Sequence, residues 1–449
     1  MSRQTLVCAA MMTLAACGSR QDIPANSQFG PDPNLPKPST PLLTQTHIPE
    51  IAGWKAGEAP LVPKGFAITR LARDLSSPRN LLPLPNGDVL VITAKKAEPE
   101  PTERPKDFVM GLLFAQAHGD NKAPSNQLIL LRDADGDGMA EQRSVLIDAL
   151  KSPHGLAYGS GQLYIGATDA ILSVPFVPGQ TRIAAQPRRV IDLPAGLINH
   201  HWTKDLVLSP DGSKLYAGVG SNSNVMERGP EAETGRAAIW EVDIKTGMSR
   251  ILATGLRNPN GLNFYPGSNA LWTVVNERDE LGPNLVPDYV TSVRDGAFYG
   301  WPYSYYGQTV DVRAKPARPD LVATATKPDF ALGSHVAPLG LAFYTGSMFP
   351  AAFRGGAFIG EHGSWNSDGL HGYHVVFIPF RGGKPAGNPR NFMGGFVGQD
   401  GKARGRPVAV RVDRDGALLV ADDAGGSVWR VSYSGSAGKS GSAGGPAIR

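Results

Sequence analysis

Residues Asn258–Val275 read NPNGLNFYPGSNALWTVV: a proline-bearing loop, a short strand of alternating apolar residues, a glycine-containing turn and a second strand. That is a β-hairpin signature. It recurs five times in the same chain, as SPRNLLPLPNGDVLVIT from Ser77, SPHGLAYGSGQLYIGA from Ser152, WTKDLVLSPDGSKLYAGV from Trp202, APLGLAFYTGSMFPAAFRGGAFIG from Ala337 and RPVAVRVDRDGALLVAD from Arg406. From Pro78 to Pro407 the copies stand at five intervals of roughly 66 residues, enough for a four-stranded propeller blade plus loops. AIWEVDI (Ala238–Ile244) and HVVFIPF (His374–Phe380) supply further strands between the hairpins. No long amphipathic helix interrupts them, the best helical candidate being Lys106–Gly119 in an insertion after the first hairpin. Two stacked sandwiches are the competing fold, but equal hairpins over roughly 360 residues favour a closed ring, which leaves few sheet edges exposed. The expected fold is all-β: a six-bladed β-propeller of four-stranded antiparallel blades over residues 50–433.

Composition agrees with that class. The chain has 449 residues, 41% hydrophobic and 19% charged, with 54 Gly and 38 Pro, a balance that favours turns and short strands over helices. A net charge of +4 and the absence of any Lys/Arg block permit an acidic ligand but give no footprint for nucleic acid.

The termini read differently. Residues 1–17, MSRQTLVCAAMMTLAAC, carry one Arg and an apolar run too short to span a bilayer, as in an exported signal. Leu14-Ala15-Ala16-Cys17 matches a lipoprotein cleavage site, so Cys17 is the expected lipidation site. The other cysteine, Cys8, lies in the segment to be removed, which leaves no disulfide. Residues 18–49 are rich in Pro, Asn, Ser and Thr and read as a tether, and residues 434–449 as a flexible tail. Gly438-Lys439-Ser440 is not a phosphate-binding loop, because the required first glycine is Tyr433. A lipid-anchored envelope protein, at the outer membrane and facing the periplasm, is the address these features imply.

Equivalent positions of a repeat lie at the same end of each blade. The x-P-x-G loops therefore bring Arg79, Asn80, His154, His201, Arg257, Asn258, His335, Arg404 and Arg406 toward one mouth of the central channel. Histidines and arginines at one register describe a pocket for an anionic, hydrogen-bonding ligand. Apart from it, Asp133, Asp135, Asp137 and Glu141 have the spacing of a calcium loop. Ser144 stands where an EF-hand needs Glu, so the expectation is a strand-connecting loop able to hold structural Ca²⁺ or one built on plain Asp-Gly turns.

From about Pro63 to Val431 the sequence resembles the soluble sugar dehydrogenases that depend on pyrroloquinoline quinone (PQQ), six-bladed propellers that include glucose, aldose sugar and sorbosone dehydrogenases. The resemblance is carried by HHWTKDLVLSPDG, GLRNPNGL, ELGPNLVPDYV followed by DGAFYGWP, HVAPLGLAFY, GEHGSWN and RPVAVRVDRDG, in that order. EHGSWN with GYHVVFIPF is most similar to the sorbosone branch. The resemblance implies that His201 is the general base for a sugar hydroxyl and that Arg257 stabilises charge developing on the quinone. It implies that Asn258, His335, Arg404 and Arg406 hold the cofactor, and that the Gly282 and Pro283 carbonyls bind its Ca²⁺. Two positions depart from the pattern. Ser221 stands where a carboxylate orients the histidine, leaving that work to Asp205 or to a group that the sequence does not place. A cofactor lysine is missing around His362, leaving His362 or a more distant group to replace it.

No G-x-G-x-x-G follows a strand and no C-x-x-C-H is present, so electrons would leave to an external cytochrome or quinone. The rivals are a metal-dependent lactonase on a similar propeller and a non-catalytic binding propeller tethered at the envelope.

Overall fold

Six antiparallel sheets stand around one axis in the computed structural model, which describes residues 24–40, 46–96 and 125–435. The leader with Cys17, the helix candidate Lys106–Gly119 and the tail from residue 436 lie outside the described residues. Blade 1, from the axis outward, is Pro78–Pro83, Val89–Thr93, Gln127–Arg132 and Gln142–Ile147. Blade 2 is Gly155–Gly159, Gln162–Ala167, Ala170–Pro175 and Arg188–Asp192. Blade 3 is Leu206–Leu208, Lys214–Val219, Ala238–Asp243 and Ser249–Thr254. Blade 4 is Pro259–Phe264, Leu271–Val275, Pro287–Ser292 and Phe330–Ser334. Blade 5 is Pro338–Phe343, Ala357–Glu361, His374–Ile378 and Arg390–Met393. Blade 6 is Pro407–Val412, Leu418–Asp422 and Ser427–Tyr433, and its outermost strand comes from the other end of the domain, Phe66–Ala72. Pairing of Phe66 with Tyr433 through Ala72 with Val428 thus closes the ring by backbone hydrogen bonds between the domain's two ends.

The core is divided among the blade interfaces. Leu81, Val91 and Ile129 of blade 1 pack on Leu419 and Val428 of blade 6, and Phe358 and Phe377 of blade 5 on Leu418 and Trp429 of blade 6. Because both faces of each sheet are covered, the second strands Val89–Thr93, Leu271–Val275 and Leu418–Asp422 are buried at every position. They read as continuous apolar runs and not as the alternation of a half-exposed sheet. Crowding at the axis explains the glycine of x-P-x-G. A Cβ at Gly155 would lie 2.4 Å from the Lys204 carbonyl oxygen, and one at Gly340 would lie 2.3 Å from that of Val408. At the same register Asn80 and Asp205 take the glycine's place, and they meet across the channel at 3.0 Å.

The segment expected to be a free tether is different in its described part. Phe29–Gly30 pairs with Leu332 and Ala331 as a fifth strand on blade 4, and Leu35 packs among Leu281 and Leu285. Further on, Ile51 bridges to Ala403 and Leu61 to Gly394. A proline-rich composition lowers the ability to form a core but leaves extended N–H and C=O groups free to add to an exposed sheet edge. Residues 24–40 and 46–62 are a belt along blades 4, 5 and 6.

Candidate active site

The loops before the innermost strands and those between second and third strands share one end of the ring, and His201 stands there at the entry to blade 3. Its Nδ1 lies 2.8 Å from the Ser221 carbonyl oxygen and 3.0 Å from Ser221 Oγ. The Ser221 hydroxyl itself donates to the Ser223 carbonyl at 2.7 Å. Both Ser221 oxygens are therefore acceptors toward the ring, which puts the proton on Nδ1 and leaves Nε2 as the basic nitrogen. Burial, then the charge of Arg257 and the neighbouring His200, hold His201 well below the usual histidine range. The loop that carries Ser221 is braced by a carboxylate one step further out: Glu233 accepts from the Asn222 N–H at 2.7 Å and from the Ser223 hydroxyl. Gly220 makes the approach possible, since a Cβ there would lie 2.5 Å from His201 Cβ. Asp205, the substitute named from sequence, turns instead to Asn80 and the Leu262 N–H (2.8 Å) inside the channel. His200 is exposed.

Arg257 is 3% exposed, and its five N–H donors are all met by the protein. They go to the carbonyls of Asn224, Asn276 and Glu277 (2.6 Å), the Asn224 side chain (3.0 Å) and Asp279 (3.3 Å). It offers the mouth a fixed positive charge and no free donor. His335 is engaged in the same way, with Nδ1 3.4 Å from Asp279 Oδ1 and Nε2 3.0 Å from the Gly282 carbonyl oxygen. Burial opposes a charged ring, but Asp279 and then the Gly282 carbonyl overrule it and hold His335 above its usual range. Both ring nitrogens of His335, expected to hold the cofactor, face protein acceptors. The Gly282 carbonyl, expected with that of Pro283 to bind Ca²⁺, thus has one of its lone pairs facing the His335 ring.

Across the mouth, Asp423 is held between Arg79 Nη1 and His362 Nε2, the latter 3.0 Å from each carboxylate oxygen. Burial would raise Asp423, but His362 and Arg79 outweigh it and hold the carboxylate far below its usual range. Arg79 also lies 5.6 Å over the Trp202 ring, and Arg406 lies 5.4 Å over Tyr373 with Nη2 3.3 Å from its hydroxyl. Arg404, expected beside Arg406, is drawn off to Asp400 (2.9 Å) and to Glu58 of the belt (3.5 Å). Sequence reasoning did not single out Asp423 or Tyr373. The doublet Asp422-Asp423 before a Gly-Gly turn was the available signal.

Buried atoms with no partner among the described residues gather in these loops, among them Arg79 Nε, Arg406 Nε, His154 Nδ1 and Asn258 Oδ1, with Arg404 Nη1 beside Arg406. Arg79, Arg406, His154 and Asn258 come from the entry loops of blades 1, 6, 2 and 4. Buried polar groups are almost always satisfied, so the open arginine donors mark where an anionic ligand would supply acceptors, and Asn258 Oδ1 where a donor group would reach. Lys204, fully buried beside this group, has its ammonium driven down to about 7 by desolvation and then by Arg236.

At the opposite end of the ring, Asp133, Asp135, Asp137 and Glu141 each place a ligand atom within 4.8 Å of the others. Their loop docks on the closure strand through Ala140 N–H to Leu71 O at 2.9 Å. A cleft of about 510 Å³ on that same end, lined by Val207, Leu208, Pro210 and residues 263–269, contains no acid, base or cation. The chemistry is at the mouth.

Comparison with known proteins agrees with this geometry. The Glucose / Sorbosone dehydrogenase family model matches residues 182–430. An uncharacterized protein of Borreliella burgdorferi is 30% identical over 297 residues, 63% of this chain and 76% of the relative. Aldose sugar dehydrogenase YliI of Escherichia coli is 30% identical over 190 residues, 41% of this chain and 44% of the relative. A pyrroloquinoline quinone-dependent pyranose dehydrogenase of Coprinopsis cinerea is 26% identical over 290 residues, 55% of this chain and 39% of the relative. The match thus spans less than half the length of these two enzymes. Among solved structures, the holo PQQ domain of the Coprinopsis cinerea pyranose dehydrogenase superposes with a TM-score of 0.66 at 20% identity, covering 86% of this chain and 100% of that one. The PQQ-bound aldose sugar dehydrogenase of Streptomyces coelicolor does so at 0.54 and 17%, covering 83% and 99%. With the six-bladed ring in common and the family model matching more than half of its length, the chain belongs to the glucose/sorbosone dehydrogenase family.

Proposed function

We propose that this chain is a PQQ-dependent dehydrogenase that oxidises an aldose, or a sugar-derived aldehyde of the sorbosone kind, and passes the electrons to an external cytochrome or quinone. The observation that carries the reading is His201, a neutral imidazole at the mouth whose Nδ1–H is fixed by Ser221 and whose Nε2 is left basic. The donor set fits the cofactor. PQQ is an anionic ortho-quinone, and the unpartnered N–H groups of Arg79 and Arg406, with His154 Nδ1 in its donor tautomer, are of the kind its carboxylates and carbonyls require, while Asn258 Oδ1 is open to a donor group. When bound, PQQ supplies the two-electron acceptor. His201 Nε2 takes the proton of the substrate hydroxyl, and Ser221 keeps the ring in the tautomer that can do so. Arg257, locked by its protein acceptors, favours negative charge developing nearby without having to reorient. Two acids of the mouth, Asp279 and Asp423, are each tied to cations, which weakens the case for a lactonase metal on them. The leader motif supports an anchor on Cys17 at the outer membrane, facing the periplasm.

The full chain titrated with PQQ is expected to bind one equivalent, followed by absorbance, and then to reduce a dye in the presence of aldoses or sorbosone. Binding without sugar-dependent reduction would contradict the dehydrogenase, and no binding would end the quinoprotein reading.

For the loop at the far end we propose a structural Ca²⁺ held by Asp133, Asp135, Asp137 and Glu141. At calcium a hundredfold above its dissociation constant, the melting curve rises by the equivalent of about 2.7 kcal/mol. EDTA reverses the rise and Asp135→Ala abolishes it. A melt indifferent to calcium would leave only Asp-Gly turns.

A further inference from the structure

The belt reaches the mouth at several points. The Ser39 N–H donates to the Leu281 carbonyl at 2.9 Å, next to Gly282, and the His47 N–H donates to the Trp365 carbonyl at 2.9 Å. Further on, Trp54 Nε1 donates to Asp422 Oδ2 at 2.6 Å. Its ring is wedged edge-on against Phe396 at 5.5 Å and Trp429 at 5.3 Å. Asp422 has no exposed surface and sits between two parts of the mouth. Its Oδ1 accepts from the backbone N–H of Arg406 and from that of Gly425, both at 2.8 Å, while Trp429 Nε1 reaches Oδ2 at 3.2 Å. One buried carboxylate therefore ties the loop that carries Arg406 to the turn that begins with Asp423, and Trp54 is its closest donor.

We infer that Trp54 is a positioning residue of the ligand site: through Asp422 it fixes Arg406 and the Asp423 turn, so the N-terminal belt is part of the mouth and not a spacer. The inference uses the proposed PQQ site as its readout and rests on that reading only there. A buried carboxylate that loses one of its donors must find another or neutralise. With either response the Arg406 N–H and the Gly425 N–H lose a fixed acceptor, and the two loops gain freedom relative to each other. Burial already pushes Asp422 up to about 6 against the pull of its donors, Trp54 first among them, so this carboxylate has little reserve. Arg406 and Asp423 stand on separate loops of blade 6, joined by the Asp423 N–H to the Arg406 carbonyl at 3.2 Å and by the pairing of Pro407 with Asp422. The Asp422 carboxylate adds the acceptor for the Arg406 and Gly425 N–H groups.

The test uses the full chain with Trp54→Phe, which keeps an aromatic ring against Phe396 and Trp429 and removes the N–H. Phe66→Leu is the stability control, since it thins the same apolar cluster at the opposite end of the blade. Two readings are made: PQQ affinity by titration, and amide exchange of the peptides containing Arg406 and Gly425 in the ligand-free protein. The expected result for Trp54→Phe is an affinity loss of about tenfold, the size of one hydrogen bond to a charged group, with faster exchange confined to those peptides. Phe66→Leu is expected to lower the melting temperature at least as far and to leave affinity unchanged. Unchanged exchange and affinity in Trp54→Phe would overturn the inference, as would an equal affinity loss in the control. If the wild-type chain does not bind PQQ, the proposed function fails by itself, and the exchange arm still decides whether Trp54 positions the two loops.

Discussion

Replacing His201 with Ala is expected to lower kcat of the PQQ-loaded chain by about 10²- to 10⁴-fold, the usual worth of a general base, with PQQ affinity within about threefold of wild type. The separation follows from geometry. The side-chain hydrogen bonds of His201 to Ser221 run through Nδ1, and the groups assigned to the ligand are on other loops. Ser221→Ala is the informative contrast, because it removes one of two oxygens at Nδ1 and leaves the carbonyl, so its loss is within about tenfold. The pH profile adds a sign. Burial first, then Arg257 and His200, depress the pKa of His201, so the neutral ring persists below the usual histidine range. As pH falls from 8 to about 6.5, kcat/KM is therefore expected to hold, and the acid limb appears only below that. An acid limb near or above 6.5, or a His201→Ala variant with wild-type kcat, would remove His201 from its role. The same depression bears on folding: below about pH 6.5 the unfolded chain takes up a proton that folded His201 refuses, so stability falls with pH there.

Asp423→Ala is expected to cost about 3 kcal/mol or more of folding stability at pH 7, because removing one member of a buried charged group leaves the others uncompensated. Arg79 and His362 both lose their acceptor, and Arg406 is left close to Arg79 with no carboxylate between them. The low exposure of Asp423 (11%) and Arg79 (15%) puts this pair outside the class of screened surface bridges. Denaturant melts of wild type and variant give the difference directly. Because the folded-state pKa of Asp423 is depressed, its contribution is full above the unfolded carboxylate value of about 4 and is lost as pH falls below it. The gap between the two proteins is expected to narrow as melts are taken from pH 7 down to pH 3. A gap under about 1 kcal/mol at pH 7 would show that the cluster is solvent-relaxed and not structural.

Much of the site was legible because a propeller converts sequence register into position. Once NPNG, SPHG, SPRN, WTKD, APLG and RPVA are recognised as one repeated loop, symmetry brings His154, His201, Arg257, Asn258 and Arg406 to one end of the ring with no further information. What register does not give is the partner of each side chain. Arg257 and His335 were both read as ligand contacts, yet Asn224 and Asp279, from two different loops, absorb one and Asp279 with Gly282 the other. Arg404 and Arg406 differ by two residues and go to different neighbours, because Asp400 and Glu58 stand beside one and Tyr373 beside the other. The orienter of His201 was sought among carboxylates, whereas the structure uses a main-chain carbonyl, and such a partner leaves no mark in residue identity.

The sequence by itself determined the number of blades, the antiparallel hairpin as their unit, the end of the ring where the charged loops gather and the acidic loop set apart from them. All of these are periodic properties of the chain, and periodicity survives in one dimension. Only the tertiary structure decided which cations are already spent on protein acceptors and which buried donors remain open. It also turned the proline-rich segment before residue 63 into a belt joined to Asp422. The physical reason is that a hydrogen bond is satisfied by whichever acceptor is nearest in space. In a ring closed between its first and last strands, that acceptor comes from the far end of the chain as readily as from the next turn.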